Sequence, residues 1–199
     1  EAVANPGYRF ASWTKDGKMA GEIGNPFLEI IVTEDAEYVA QFTKNQYFVG
    51  ISTDPEDVGT VDGGGSYDFN EEITLTAQEQ IGWEFEKWTL NGDVKGTGLT
   101  LAVTVPAKDV EYVAHFREID YTITGEATPT AGGTVNDEAV YSETANYGDE
   151  VTLDAQPEEG WEFTGWTKVG EPGFESMDDP LIVTVEGNAD YEAHFLKID

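Results

Sequence analysis

The chain has 199 residues, enough for one large domain or several small ones, and sets 10 Lys plus Arg against 40 Asp plus Glu, a formal charge of −30. Charge of that sign and size repels phosphate backbones and anionic head groups, so nucleic acid and membrane surfaces are not expected partners. With no cysteine there is no disulfide framework, thiolate metal site or cysteine nucleophile, and no window approaches the ~18 apolar residues of a membrane-inserting span.

Aromatic residues make up 12% of the chain, more than an acidic disordered tail carries, so the sequence reads as folded. It opens Glu1-Ala-Val-Ala-Asn-Pro with no initiator Met, as a processed protein or an excised piece would. The first element is Gly7-Tyr8-Arg9-Phe10-Ala11-Ser12-Trp13, a strand followed by Asp16-Gly17, a dipeptide that closes two-residue hairpins. Leu28-Glu29-Ile30-Ile31-Val32 is a β-branched run and reads as a strand. In Tyr38-Val39-Ala40-Gln41-Phe42 the ringed and small residues alternate with the others, the pleat of a half-buried strand. Asn70 to Gln80 alternates Ile73, Leu75 and Ala77 and is also strand.

From there the chain repeats itself. Gly82-Trp83-Glu84-Phe85-Glu86-Lys87-Trp88 restates the first block 75 residues on, and Gly160-Trp161-Glu162-Phe163-Thr164-Gly165-Trp166 restates it 78 residues later. Asn91-Gly92 follows the second copy as Asp16-Gly17 follows the first, while the third has Val169-Gly170. Leu101–Val105 and Leu181–Val185 match Leu28–Val32, and Tyr112–Phe116 and Tyr191–Phe195 match Tyr38–Phe42. The phenylalanine and the closing tryptophan of each block lie on opposite parities of a strand. A bulge near Ser12, Lys87 and Gly165 is therefore expected to turn the tryptophan inward. No segment reads as a long helix.

The rest of the unit occurs twice. Tyr47 to Val61 matches Tyr121 to Val135 at an offset of 74; after a four-residue length difference, Phe69–Leu75 matches Tyr147–Leu153 at an offset of 78. With this half called A and the tryptophan-bearing half B, the order is B-A-B-A-B. The expected domains are a partial repeat over 1–45 and complete repeats over 46–119 and 120–199.

The combined pattern is Pro-x-x-Gly-Gly-Thr-Val, Tyr-Gly-Asp-Glu-Val-Thr-Leu-x-Ala, Gly-Trp-x-Phe-x-x-Trp and Tyr-x-Ala-x-Phe, followed most closely over 120–199. It resembles the divergent internalin B-repeat group, related to the Listeria–Bacteroides repeats. The resemblance implies small β-grasp-like modules, with little or no helix here, strung along bacterial cell-surface proteins.

The chemistry on offer is thin. Phe10, Phe85, Phe163, Trp13, Trp88 and Trp166 recur as a core would require, since a module of about 75 residues must bury most of its large side chains. The first aromatic of each block, Tyr8, Trp83 or Trp161, stands at a strand start and is the candidate ligand contact. His115 and His194 share one slot, filled by Gln41 in the first copy, on the parity opposite the Tyr-Ala-Phe face; they read as outward surface residues, not zinc ligands. Asp54-Pro55-Glu56-Asp57, Asn136-Asp137-Glu138 and Met177-Asp178-Asp179-Pro180 lack the alternating oxygens of a calcium loop and read as solvated turns. Gly63-Gly64-Gly65 lacks the lysine of a phosphate-binding loop, and no nucleophile elbow or zinc-protease motif occurs.

The expectation is a mainly β, non-enzymatic array with no catalytic residues, cofactor or metal, extracellular or on the bacterial cell surface, serving as a stalk or adhesin-type spacer. The alternative is a carbohydrate- or peptide-binding module using exposed aromatics. Expected partners are host or cell-wall glycans or proteins. The chain is expected to be a monomer or a weak dimer by strand exchange.

Overall fold

The computed structural model describes residues 1–198, and among them every regular element is a strand. The first 45 residues supply β1 (Tyr8–Lys15), β2 (Lys18–Ala20) and β3 (Tyr38–Lys44). The second copy supplies β4 (Gln46–Asp54), β5 (Thr60–Asp62), β6 (Gly65–Asp68), β7 (Glu72–Gln78), β8 (Trp83–Leu90), β9 (Asp93–Gly96), β10 (Thr100–Thr104) and β11 (Val110–Glu118). The third supplies β12 (Tyr121–Thr128), β13 (Gly133–Val135), β14 (Val140–Ala145), β15 (Glu150–Leu153), β16 (Ala155–Pro157), β17 (Trp161–Lys168), β18 (Glu175–Ser176), β19 (Leu181–Thr184) and β20 (Ala189–Lys197).

Two compact units result. One holds Glu1–Gln80 with Phe85–Phe116; the other holds Ile81–Glu84 with the chain from Arg117 on. In the second copy a five-stranded sheet, ordered β6-β4-β11-β8-β9, is accompanied by a three-stranded sheet, β10-β7-β5. The third copy repeats the large sheet as β14-β12-β20-β17-β18 and divides the small one into the pairs β13-β16 and β15-β19. A and B halves are joined in the middle of each large sheet by a parallel pair: Val49↔Val110 to Asp54↔His115 in one copy, Ile123↔Ala189 to Thr128↔His194 in the other. In keeping with a sequence that leaves no room for a long crossover helix, the second layer among the described residues is made of strands.

The core lies between the layers. In the third copy Ile123, Val135, Val151, Leu153, Trp166, Val183, Tyr191 and Phe195, drawn from both sheets, form one buried cluster. Trp88 and Trp166 have 0% and 1% of their surface exposed. The expected bulge is present. Between Phe10 and Ser12, and again between Phe163 and Gly165, the pairing with the partner strand skips one residue, which brings Phe and Trp to the same face. The hairpins also form as expected. Asp16-Gly17 closes Lys15↔Lys18 and Asn91-Gly92 closes Leu90↔Asp93, all four turn residues having positive φ between 49° and 83°.

One expected strand is absent among the described residues. Leu28–Val32 has no strand pairing, although its counterparts are β10 and β19. Those two strands pair with β7 and β15 of the A half, and residues 1–45 contain no such strands. Left without a ladder, Ile31 and Val32 are 89% and 80% exposed. The β-branched composition was right for a strand, but an unpaired strand leaves its backbone groups to water and gains nothing from its propensity.

Candidate functional site

Each B half builds the same aromatic cluster. Phe10 lies 5.8 Å from both Trp13 and Phe42; Phe85 lies 5.8 Å from Trp88 and 5.7 Å from Phe116; Phe163 lies 5.6 Å from Trp166 and 6.0 Å from Phe195. The Phe–Phe contacts are edge-to-face, the arrangement that brings the positive ring edge to the negative face. These rings are structural in the two complete copies.

The candidate contact residues occupy a different place, at the start of the block. Tyr8 is part-exposed and sets its ring edge-on to Phe69 at 5.7 Å. Beside it Val3, Asn5, Tyr8 and Phe42 line a small cavity of ≈ 210 Å³. Trp83 is half-buried. Trp161 is half-buried as well and packs against the core cluster of the third copy.

The glycine before each of the first two aromatics explains why. Gly7 has φ +84° and Gly82 has φ +83°, the left-handed region that glycine reaches without strain. A Cβ on Gly7 would collide with the ring of Phe69, and one on Gly82 with Tyr147, the counterpart of Phe69. Asn45 N–H donates to Gly7 O at 2.8 Å, and Ile119 N–H donates to Gly82 O at 2.9 Å. The same glycine and the same aromatic position therefore meet within each following A half, inside the first unit in one case and inside the second in the other. Sequence reasoning missed this junction because its partners lie about 60 residues apart.

The histidines sit on the expected face but are half-buried rather than outward. His115 Nε2 lies 2.9 Å from Thr89 Oγ1 and its Nδ1 lies 2.9 Å from Asp54 Oδ2. His194 Nε2 lies 2.8 Å from Thr167 Oγ1, the counterpart of Thr89. An acid–His–hydroxyl order can activate a nucleophile. Here the Thr89 side chain is buried, and the third copy keeps the Thr–His link with Thr128 in place of Asp54. The shared feature is a cross-strand tie.

The acidic turns likewise have local duties. Asp179 Oδ1 accepts from Ala155 N–H at 3.0 Å, Asp178 O accepts the Trp166 indole N–H at 3.0 Å, and Asp137 N–H donates to Gln156 Oε1 at 2.7 Å. A concavity of ≈ 820 Å³ lies elsewhere. It opens beside β4 among Phe48, Gly50, Ile51, Gly64, Asp109 and Glu111, none of which the sequence singled out except the triple-glycine run.

Comparison with known families gives a match to the divergent InlB B-repeat domain over residues 1–46, 49–120 and 121–199. No curated protein matches the chain.

Proposed function

The chain belongs to the divergent InlB B-repeat domain family, and on that premise we propose that it is a non-enzymatic stalk or adhesin-type spacer of a bacterial cell-surface or secreted protein. The family is one of structural repeats associated with bacterial surface proteins. The observation that supports a spacer is the junction: Gly7 with Phe69 and Gly82 with Tyr147 use one set of positions twice. Repetition of a junction is what a quasi-linear array needs, because each repeat touches only its neighbour. The folding unit in this reading is A followed by B, over 46–119 and 120–199, with 1–45 a partial repeat. The large aromatics are spent on the cores of those units.

Antibody raised against this array, applied to intact cells of the organism that encodes it and to its culture medium, tests the placement. Labelling of unpermeabilised cells or recovery from the medium supports the proposal; signal confined to the cytosol overturns it. A second reading is favoured by the part-exposed Tyr8 and its cavity: recognition of a glycan or peptide through Tyr8, Trp83 and Trp161. Glycan-array binding lost on Trp83→Ala plus Trp161→Ala, with folding intact, would select it.

A further inference from the structure

The two complete repeats differ at one sheet edge. In the third, β14 runs antiparallel to β12 for six residue pairs, Tyr121↔Ala145 to Glu126↔Val140. In the second, β6 covers β4 for four pairs, Gln46↔Asp68 to Val49↔Gly65. The cause is the four-residue length difference. Asn136 to Ala139 leads from β13 to β14, whereas Gly63 and Gly64 alone connect β5 to β6. Those two glycines pass so close to Thr74 O, and to Ile51 and Val49 O, that a side chain on either would collide. Ile51 and Ser52 are the counterparts of Gly125 and Glu126, which pair with Tyr141 and Val140. On one side β11 pairs with them through Tyr112 and Val113; on the other, β6 has already ended.

The ≈ 820 Å³ groove runs across β4, from Ile51, Gly64 and Gly65 on the side of this edge to Asp109 and Glu111 at the start of β11. Gly50, which carries no side chain, forms part of its floor, with apolar walls from Phe48, which is 54% exposed, and Val61. Asp62, Asp109 and Glu111 line it against the single cation Lys108. Each carboxylate uses one oxygen locally: Asp62 Oδ1 accepts from Gly63 N–H at 2.7 Å, Asp109 Oδ1 from Phe48 N–H at 2.7 Å, and Glu111 Oε1 from Ser52 Oγ at 3.1 Å. Among the described residues the second oxygen of each has no hydrogen-bond donor.

We propose that this edge accepts a strand: an extended, cationic segment of another protein adds antiparallel to β4 along Ile51–Thr53, taking the place that Tyr141 and Val140 hold in the third repeat. Main-chain pairing supplies attraction, and alternate side chains supply selectivity. An apolar side chain enters between Phe48 and Val61, and a flanking Lys or Arg meets Asp62, Asp109 or Glu111. A second copy of this chain is a poor occupant, since each copy carries −30.

The test uses the intact chain and a fluorescein-labelled peptide, Lys-Lys-Ala-Val-Tyr-Ser-Lys-Thr. The peptide copies residues 139–144, with lysine replacing the glutamate and two lysines added in front. Fluorescence anisotropy is expected to show saturable one-to-one binding. Amide-exchange protection should be gained at Phe48–Thr53, Asp62–Gly65 and Lys108–Glu111. Replacing the peptide's tyrosine by proline should weaken binding at least ~10-fold, because proline cannot complete a ladder. Replacing Asp62–Gly65 by residues 136–143 should abolish it by covering the edge. Asp62→Asn with Glu111→Gln should weaken it several-fold, a readout that does not depend on the graft folding. Equal affinity for the proline peptide would reduce the interaction to charge and overturn the proposal. Protection appearing elsewhere, or displacement of the peptide by self-association in sedimentation, would overturn it too.

Discussion

The first 45 residues and the two complete repeats carry the same B-half pattern and do different things with it. The Phe–Trp–Phe cluster forms in all three at similar spacing. Yet Trp88 and Trp166 are fully buried while Trp13 is half-buried, and Phe42 is 39% exposed where Phe116 and Phe195 are buried. Likewise β10 and β19 are strands and Leu28–Val32 is not. Local sequence therefore fixes the bulge, the hairpin and the ring cluster. The A half decides whether that cluster becomes a core and whether the β-branched run acquires a ladder.

The largest expected effect bears on burial. Trp88→Ala and Trp166→Ala should each cost about 3–5 kcal/mol in denaturant melts, whereas Trp13→Ala should cost about 1–2 kcal/mol because water already reaches the ring. Equal losses at all three positions would break the comparison. The run upstream sharpens it. Val103→Thr and Val183→Thr place a hydroxyl in a buried site and should cost about 1–3 kcal/mol. Ile31→Thr and Val32→Thr, at exposed and unpaired positions, should stay within about 0.5 kcal/mol in the same melts.

These contrasts show how much of the fold the residues disclose by themselves. Parity alone placed the bulge, because Phe10 and Trp13, or Phe163 and Trp166, could share a core only if one residue were skipped. Asp16-Gly17 and Asn91-Gly92 announced their turns through the positive φ that such residues tolerate. Leu28–Val32 misled because its composition contains no record of a missing partner. The first aromatics presented themselves as contact residues, and nothing near Tyr8 in sequence points to Phe69. The open edge of β4 left one trace, the four-residue gap between copies, whose meaning depends on which strand the extra residues lengthen.

A smaller effect separates the two complete repeats from each other. Trp166 donates its indole N–H to Asp178 O, and Trp13 donates to Pro26 O at 3.2 Å, but Trp88 Nε1 is buried without a partner among the described residues. In the second repeat the shorter connection uses Leu99 O to accept Ala77 N–H instead. Trp166→Phe should therefore cost about 1 kcal/mol more than Trp88→Phe, since only the former surrenders a hydrogen bond. Equal costs would mean that the indole hydrogen bond adds nothing.

Alkaline titration gives the smallest expected change. Burial pushes the hydroxyl pKa of Tyr112 and of Tyr191 above the ordinary tyrosine value, with Lys168 pulling Tyr191 partly back. A folded-state pKa raised in this way contributes stability that is fully present below the unfolded value of about 10 and is lost as pH climbs through the folded value. Melting temperatures should fall above about pH 10, and Tyr112→Phe or Tyr191→Phe should make that fall shallower. An unchanged alkaline profile in both variants would contradict the assignment.

The claim that an A half completes the B half after it is tested most directly by removing residues 1–45 and measuring amide exchange and thermal unfolding of the remainder. Both complete repeats should persist, with slow exchange along β4, β11, β12 and β20. The one modest loss should fall near Phe69, which gives up its contact with Tyr8. Collapse of protection in β4 and β11 on that deletion would show that the unit is instead a B half followed by an A half, and would contradict the claim.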